Sequence, residues 1–225
     1  MTKGHLHLYN TNDPILPITK GCESAMAKAE SNKQKKKEAL YNTAFELFTT
    51  KGIHKTTISD IVQKAGVAKG TFYLYFADKY DISNKLVAKK TSTLFTNAVT
   101  AVNQTNIENF QDKFIFIIDH IIDALTKNKS LLTFISKNLG WGVFKSALEN
   151  RIVTEDLKFY DMYLNLLEAD EYEYEEPEIM LFTIIELVGS SAYSCILSNE
   201  PVSIEEYKPY LYRTIRMILE SHKLP

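Results

Sequence analysis

The sequence has few residues that interrupt helices. Only 8 glycines and 6 prolines occur among 225 residues, while hydrophobic residues make up 45% of the chain. Long stretches repeat apolar residues at the three- and four-residue spacing of amphipathic helices. The composition is that of an ordinary folded protein, and the helical spacing with so few helix breakers predicts an all-α fold.

The sequence also lacks the signatures of secreted proteins and enzymes. Its two cysteines, Cys22 and Cys195, are far apart and belong to no metal-binding or redox motif, so we expect free thiols in the reducing cytoplasm. The N-terminus does not have the basic-then-apolar order of a signal peptide. The sequence contains no nucleophile elbow or phosphate-binding loop, so we predict neither an enzyme nor a cofactor.

Residues 179–197 form the most membrane-like run of the sequence. The run is long enough to span a bilayer, but Glu186 and the small polar patch at 189–191 interrupt it. Because a charge inside a membrane is costly, a buried interface helix is the better interpretation.

Asp119, His120 and Asp123 form a candidate metal site, since residues three and four apart share one face of a helix. No cysteine or second histidine is nearby. A solvated helix face is therefore the better interpretation, and we predict no metal.

Charge is distributed unevenly along the chain, although the net charge is only -2. Residues 31–90 contain 12 lysines and 5 acidic residues, whereas acidic residues exceed basic ones after residue 90. The uneven charge suggests an anion-binding module joined to one that does not touch the anion. The alternative is a solvated, lysine-rich helix surface.

Residues 56–79, TTISDIVQKAGVAKGTFYLYFADK, have the pattern of a helix-turn-helix, in which the second helix enters the DNA major groove. Thr57 is a good N-cap, and Asp60 occupies the third helical position, near the positive end of the helix dipole. Gly66 permits a sharp turn because glycine tolerates positive φ. Two short helices are therefore predicted, one on each side of Gly66.

The second short helix is predicted to have a buried side and an available side. Phe72 and Phe76, four residues apart, should face the core. Other polar and aromatic residues lie on the remaining faces: Lys69, Thr71, Tyr73 and Tyr75. Gly70 allows a partner to approach the backbone closely.

The helix ending in FTTKG at residue 52, followed by residues 56–79, resembles the DNA-binding domain of the TetR family of bacterial transcriptional regulators. The resemblance covers about residues 33–90 and rests on the joint spacing of seven residues: Gly52, Thr57, Gly66, Gly70, Tyr73, Phe76 and Lys79. The family implies that one set of residues contacts bases or phosphates: Thr57, Lys69, Gly70, Thr71, Tyr73, Tyr75 and Lys79.

We predict three regions and about nine helices. Residues 1–32 form a disordered arm, 33–80 a three-helix DNA-binding domain, and 81–225 a larger helical domain for ligand binding and dimerisation. Met26 begins a stretch typical of a protein start, so the sequence leaves open whether residues 1–25 belong to the natural protein.

Two closing helices, at 178–197 and 204–221, can pair with their copies in a four-helix bundle. The TetR resemblance implies such a homodimer. The alternative is burial of both helices within one subunit.

The second domain is rich in aromatic residues, which suits an apolar cavity between helices. The candidate lining residues are Trp141, Phe144, Tyr160, Tyr163, Met180 and Glu186. Each of them could instead belong to the plain core.

The leading hypothesis is a cytoplasmic, dimeric repressor that binds a palindromic operator and is released by a small apolar or amphipathic effector. The alternative is a DNA-bound interaction protein of the same fold, which acts through a protein partner without a small ligand. The sequence does not decide between repression and activation.

Overall fold

A computed structural model describes residues 20–138 and 159–225, with side chains from residue 28 and, after the gap, from residue 163. The elements in these ranges are nine helices: α1 Lys20–Thr50, α2 Ile58–Ala65, α3 Lys69–Tyr73, α4 Lys79–Val102, α5 Phe110–Lys127, α6 Lys129–Asn138, α7 Phe159–Glu168, α8 Pro177–Ser198 and α9 Ile204–Ser221. The predicted all-α fold is confirmed.

The first helix is longer than the sequence suggested. The predicted disordered arm reached residue 32, but α1 begins at Lys20, so residues 20–32 are helical. Alanine, lysine and glutamate, which favour helices, are frequent from Glu23 onwards, and no proline follows Pro17 before α1 ends. Residues 1–19 of the predicted arm lie outside the described residues.

The first core joins α1, α2, α3 and the start of α4. Its buried residues include Leu40, Ala44, Phe48, Ile61, Phe72, Phe76 and Ile82. One residue from a distant helix belongs to the same core: Phe134 of α6 is only 4% exposed. Its ring centroid lies 5.3 Å from that of Phe45 and 6.4 Å from that of Phe48. Helix α6 therefore packs against the first core.

The second core lies between α5, α7, α8 and α9. Its buried residues include Phe114, Ile118, Tyr163, Leu181, Ile184, Leu211 and Ile215. Side-chain caps set the ends of two of these helices. Asn109 accepts a hydrogen bond from the backbone N of Asp112, so α5 begins at Phe110. Ser203 and Glu206 form a capping box at the start of α9.

Helix α8 is the one helix in the described ranges that is long and apolar enough to cross a membrane, with a mean hydropathy of 1.7 in its most apolar window. Six of its residues are buried in the chain: Met180, Leu181, Ile184, Ala192, Cys195 and Ile196. Ile179 and Phe182 remain exposed. Helix α8 is therefore only partly buried within a single chain.

A line of polar contacts joins α5 to α9. Lys208 Nζ lies 2.9 Å from Asp119 Oδ1 and 2.5 Å from Asp123 Oδ1. The Tyr212 hydroxyl donates to Asp119, and Arg216 Nη2 lies 2.6 Å from Asp112 Oδ1. The two aspartates considered as metal ligands thus bind a lysine and a tyrosine of the facing helix, which explains their spacing.

The predicted boundary between residues 80 and 81 falls inside the first turn of α4, which runs without interruption from Lys79 to Val102. Helix α4 takes part in more than one core. Ile82 and Leu86 belong to the first, while Ala98, Val99 and Val102 pack with Ile117 of α5 in a smaller third cluster. The division of the chain at this position stays a prediction.

Candidate nucleic-acid interface and body cavity

The capping box of α2 fixes the start of the helix-turn-helix. Asp60 N donates to Thr57 Oγ1 at 3.1 Å, and Thr57 N donates to Asp60 Oδ2 at 3.0 Å. The bond from the Thr57 backbone is the main cause that lowers the pKa of the Asp60 carboxyl. Since its backbone N–H is already engaged, Thr57 retains only its hydroxyl hydrogen for a phosphate.

The turn between α2 and α3 depends on Gly66, whose φ of 68° lies in the left-handed region that glycine tolerates. Its N–H and that of Val67 donate to the last carbonyls of α2. After the turn, α3 holds Phe72 fully buried, and Phe76 follows it at 2% exposure. The predicted core face of this segment is therefore confirmed.

The opposite face of α3 is open. Lys69 and Gly70 are exposed, and Tyr73 is 53% exposed, while Thr71 is half-buried. A Cβ added at Gly70 would meet no atom within 4 Å, so the packing of the chain itself does not require glycine there. The residues expected to reach bases thus lie together on one accessible face.

Two other predicted DNA-contacting residues already have partners in the protein. The Tyr75 hydroxyl donates to the carbonyl of Lys33 at 3.2 Å, which connects the end of α3 to α1. Lys79 Nζ donates to the carbonyls of His54 and Thr56, each at 3.1 Å. These contacts brace the motif. Lys79 keeps one N–H donor for a phosphate, whereas the Tyr75 hydroxyl can donate to a phosphate only if its bond to Lys33 is broken.

Two exposed side chains beside this face were not predicted. Leu74 is 77% exposed and Tyr80 is 49% exposed, and the Tyr80 ring lies 6.5 Å from that of His54. Leu74 is off the stripe defined by Phe72 and Phe76, and that offset was the sequence signal for its exposure. Tyr80 continues the four-residue spacing of the stripe, but it belongs to a different helix, α4, so the spacing gave no signal for its exposure.

A cavity of about 520 Å³ lies between α4, α5, α6, α7 and α8. Two predicted residues, Tyr163 and Glu186, line it. Met180 does not: it is fully buried in the second core, where α8 packs inward, so its prediction as a lining residue is wrong. Trp141 and Phe144 lie outside the described residues, as does the side chain of Tyr160.

Most of the cavity wall was missed by the sequence analysis. It comes from α4, α5 and α6, through residues that include Thr91, Phe95, Phe114, Ile118, Leu132 and Ile135. On α5 these residues, Phe114 and Ile118, lie four apart on one apolar stripe of the helix. A stripe marks burial but does not distinguish a residue facing a cavity from one in a filled core.

Comparison with known proteins supports the helix-turn-helix. Residues 40–86 match the family model described as bacterial regulatory proteins, tetR family. A segment of 88 residues is 38% identical to the uncharacterized HTH-type transcriptional regulator YvdT of Bacillus subtilis (strain 168), and the match covers 39% of this chain and 42% of that protein. An HTH-type transcriptional regulator of Staphylococcus aureus (strain USA300) is 23% identical over 186 residues, 81% of this chain and 91% of the relative.

Solved structures share the fold over about four fifths of the chain. A TetR transcriptional regulator from Rhodococcus sp. RHA1 aligns with a TM-score of 0.58 and 20% identity, over 84% of this chain and 97% of the other. The regulator FadR from Bacillus subtilis, in complex with stearoyl-CoA, aligns with a TM-score of 0.55 and 17% identity, over 79% and 96%. The capped α2, the glycine turn and the open face of α3 lie within the family match. Residues 40–86 are therefore a helix-turn-helix domain of the type found in the tetR family of bacterial regulatory proteins.

Proposed function

We propose that this protein is a ligand-responsive repressor that binds a palindromic operator as a homodimer in the cytoplasm. A small apolar or amphipathic effector in the body cavity releases it from DNA. The observation that carries the proposal is the position of α6, which lines the cavity on one face and enters the DNA-binding core on the other.

DNA recognition is assigned to the open face of α3. Lys69, at the first turn of α3, is the candidate for contacts to base edges, while the Tyr73 hydroxyl is placed to reach a phosphate. Exposed lysines of α1 add positive charge beside Tyr75: Lys33, Lys35 and Lys36. These charges predict binding that weakens steeply with salt.

Helix α6 supplies the connection between effector and DNA. Leu132 and Ile135 line the cavity, whereas Phe134 packs among the aromatic rings of α1. An effector that fits one arrangement of α6 better than another favours the corresponding orientation of α1 and the helix-turn-helix. The effect on DNA affinity is limited by the difference in effector affinity between the two arrangements.

The dimer is assigned to the exposed faces of α8 and α9. Ile179 and Phe182 are 53% and 37% exposed on α8, and Tyr210 and Met217 are 60% and 66% exposed on α9. Such large apolar side chains on adjacent helices favour pairing with a second copy. Two copies are also needed to place two recognition helices in half-sites one helical turn apart.

An effector with an apolar part agrees with the mostly apolar lining of the cavity. The structural neighbour FadR was solved with stearoyl-CoA, a molecule with a long apolar chain. The likeness in fold makes acyl compounds one class to include among the effectors tested.

The DNA-binding proposal is tested by selecting bound duplexes from a random pool and measuring the affinity of the enriched sequence by fluorescence anisotropy. We expect a palindromic sequence and a loss of about tenfold in affinity for Lys69→Ala, the value of one good base contact. Lys127→Ala, which removes an exposed lysine at the end of α5, is the matched control and should retain affinity. Failure to enrich any duplex contradicts the proposal.

A further inference from the structure

The hydroxyl of Thr91 is buried without a hydrogen-bond partner. Among the residues whose side chains the structure describes, only Ser83 and Thr91 have a buried side-chain polar atom in this condition. Both lie on α4, but Thr91 alone of the two lines the cavity. Thr91 is 7% exposed, so bulk solvent does not satisfy its hydroxyl. A buried polar group of this kind calls for a partner.

Three other helical threonines satisfy the same hydroxyl within their helix. The hydroxyls of Thr93, Thr100 and Thr126 each donate to the carbonyl four residues earlier, at 2.9, 2.8 and 2.8 Å respectively. This backbone contact is the usual way in which a threonine inside a helix satisfies its hydroxyl. Thr91 makes no such bond, so its hydroxyl remains available to a molecule in the cavity.

The surroundings of Thr91 determine which molecule fits. Apolar residues from all five helices face the same space, including Phe95, Phe114, Ile118, Leu181 and Ile184. The charged lining residues among those described, Lys137 and Glu186, are both exposed. An ionised group buried beside Thr91 would therefore lack a buried counter-charge and would be strongly disfavoured. A neutral hydrogen-bonding group has no such penalty.

We propose that the cavity binds an uncharged, mainly apolar molecule that places a hydroxyl or carbonyl oxygen against Thr91 Oγ1. Thr91 is then the residue that selects oxygen-bearing ligands over hydrocarbons of the same shape. This inference rests on the proposed effector role of the cavity and specifies the chemical class of the effector.

The test uses a pair of probes that differ in one group, 1-naphthol and 1-methylnaphthalene, with the full-length protein and no DNA. Isothermal titration calorimetry gives the ratio of the two affinities, which cancels the contribution of the shared ring. In Thr91→Val the preference for 1-naphthol should fall about fivefold relative to the unmodified protein, as for the loss of one neutral hydrogen bond.

Two controls separate the role of the hydroxyl from general effects. Thr91→Ser keeps a hydroxyl and should keep the affinity ratio. Ser83→Ala removes the other unpartnered hydroxyl of α4, which does not line the cavity, and should also leave the ratio unchanged. If Thr91→Val does not fold, Thr91→Ala replaces it, since it removes the same hydroxyl.

An unchanged ratio in Thr91→Val, or a lack of binding of both probes to the unmodified protein, overturns the inference. If a water molecule rather than the ligand bonds to Thr91 Oγ1, the affinity ratio stays unchanged in Thr91→Val. Because DNA is absent, the outcome is independent of operator binding. If the protein enriches no DNA duplex but shows the expected affinity ratio, the repressor function is refuted, while the proposed chemical class of the ligand stands.

Discussion

Lys79 and Lys69 are both predicted to contact DNA, but the protein uses them differently. Lys79 Nζ donates to two backbone carbonyls of the loop before α2, and thereby holds the start of α4 against that loop. Lys69 is exposed on α3, and its side chain makes no hydrogen bond or ion pair with the described residues. A lysine that braces the motif affects stability and DNA binding together, whereas a lysine that only reads DNA affects binding alone.

This difference predicts separate outcomes for two substitutions. Lys79→Met should reduce the free energy of unfolding by about 1–2 kcal/mol, because it removes charge-assisted hydrogen bonds, and should also weaken DNA binding. Lys69→Ala should change stability by less than about 0.5 kcal/mol, as for an ordinary surface site, while weakening DNA binding. Urea denaturation and anisotropy measure the two quantities. Equal effects of both variants on stability would show that Lys79 does not brace the motif.

At the scale of elements, α6 connects the two cores through residues that are adjacent in sequence. Phe134 packs against Phe45 and Phe48 of α1, while the next residue, Ile135, lines the cavity. Successive residues of a helix point in directions about 100° apart. A small rotation of α6 therefore changes the cavity wall and the support of α1 at the same time.

Substitution of these two residues should destabilise different parts of the protein. Phe134→Ala leaves a cavity in the first core and should cost about 3 kcal/mol, with faster hydrogen exchange in α1, α2 and α3. Ile135→Ala is the matched control, and its increase in exchange should appear mainly in α5 and α8. Hydrogen-exchange mass spectrometry distinguishes the two patterns. Identical patterns would contradict the assignment of Phe134 to the DNA-binding core.

The contacts between α5 and α9 make stability depend on pH through Asp119. Burial acts to raise the pKa of this carboxyl, but hydrogen bonds from Tyr212 and Lys208 outweigh it, so the pKa is lowered. A lowered folded-state pKa means that the stabilisation is present above the unfolded value of about 3.9 and is lost as the pH falls through the folded value.

Asp119→Asn should therefore reduce the free energy of unfolding by about 1 kcal/mol at pH 7, a small value because solvent screens a carboxyl that is two-fifths exposed. The difference from the unmodified protein should shrink below about pH 4. Urea denaturation at pH 7 and pH 3 measures both differences. Tyr212→Phe removes one of the donors and should reduce the pH dependence in the same direction. A constant difference at the two pH values would rule out this role of Asp119.

At the scale of the whole molecule, the exposed apolar residues of α8 and α9 lie far along the chain from the basic first domain. Residues 31–90 contain an excess of lysine, and the later part of the chain an excess of acidic residues. The acidic domain is not suited to DNA, which carries the same sign of charge. Its exposed apolar faces are suited to a second copy, so the surfaces proposed for DNA binding and for dimerisation lie at separate ends of the chain.

Met217→Glu should weaken self-association by at least about tenfold, because it places a charge on a face proposed to be desolvated in the dimer. Operator affinity should fall as well, since one copy reads only one half-site. Asn97→Glu, at an exposed position of α4, is the control for added charge and should leave both properties unchanged. Sedimentation velocity measures the association. Equal sedimentation of the two variants and the unmodified protein would place the interface elsewhere.

The sequence by itself determined the helix-turn-helix, because the interactions that form it are local. Thr57 and Asp60 cap α2 across three residues, Gly66 supplies a left-handed turn, and Phe72 and Phe76 lie four apart on one face. The helical period also predicted the limits of α9 correctly. Such signals depend on neighbours within one or two turns, which the linear pattern records directly.

Only the tertiary structure decided which element buries each apolar residue. Met180 and Tyr163 have the same aromatic-rich and apolar surroundings in sequence, but Tyr163 lines the cavity and Met180 lies in the filled core. Phe134 joins a core formed by residues more than 40 positions away, and the hydroxyl of Thr91 lacks the backbone partner that its sequence context offers. Hydrophobic periodicity fixes the side of a helix that is buried, whereas the identity of the facing helix depends on contacts between distant parts of the chain.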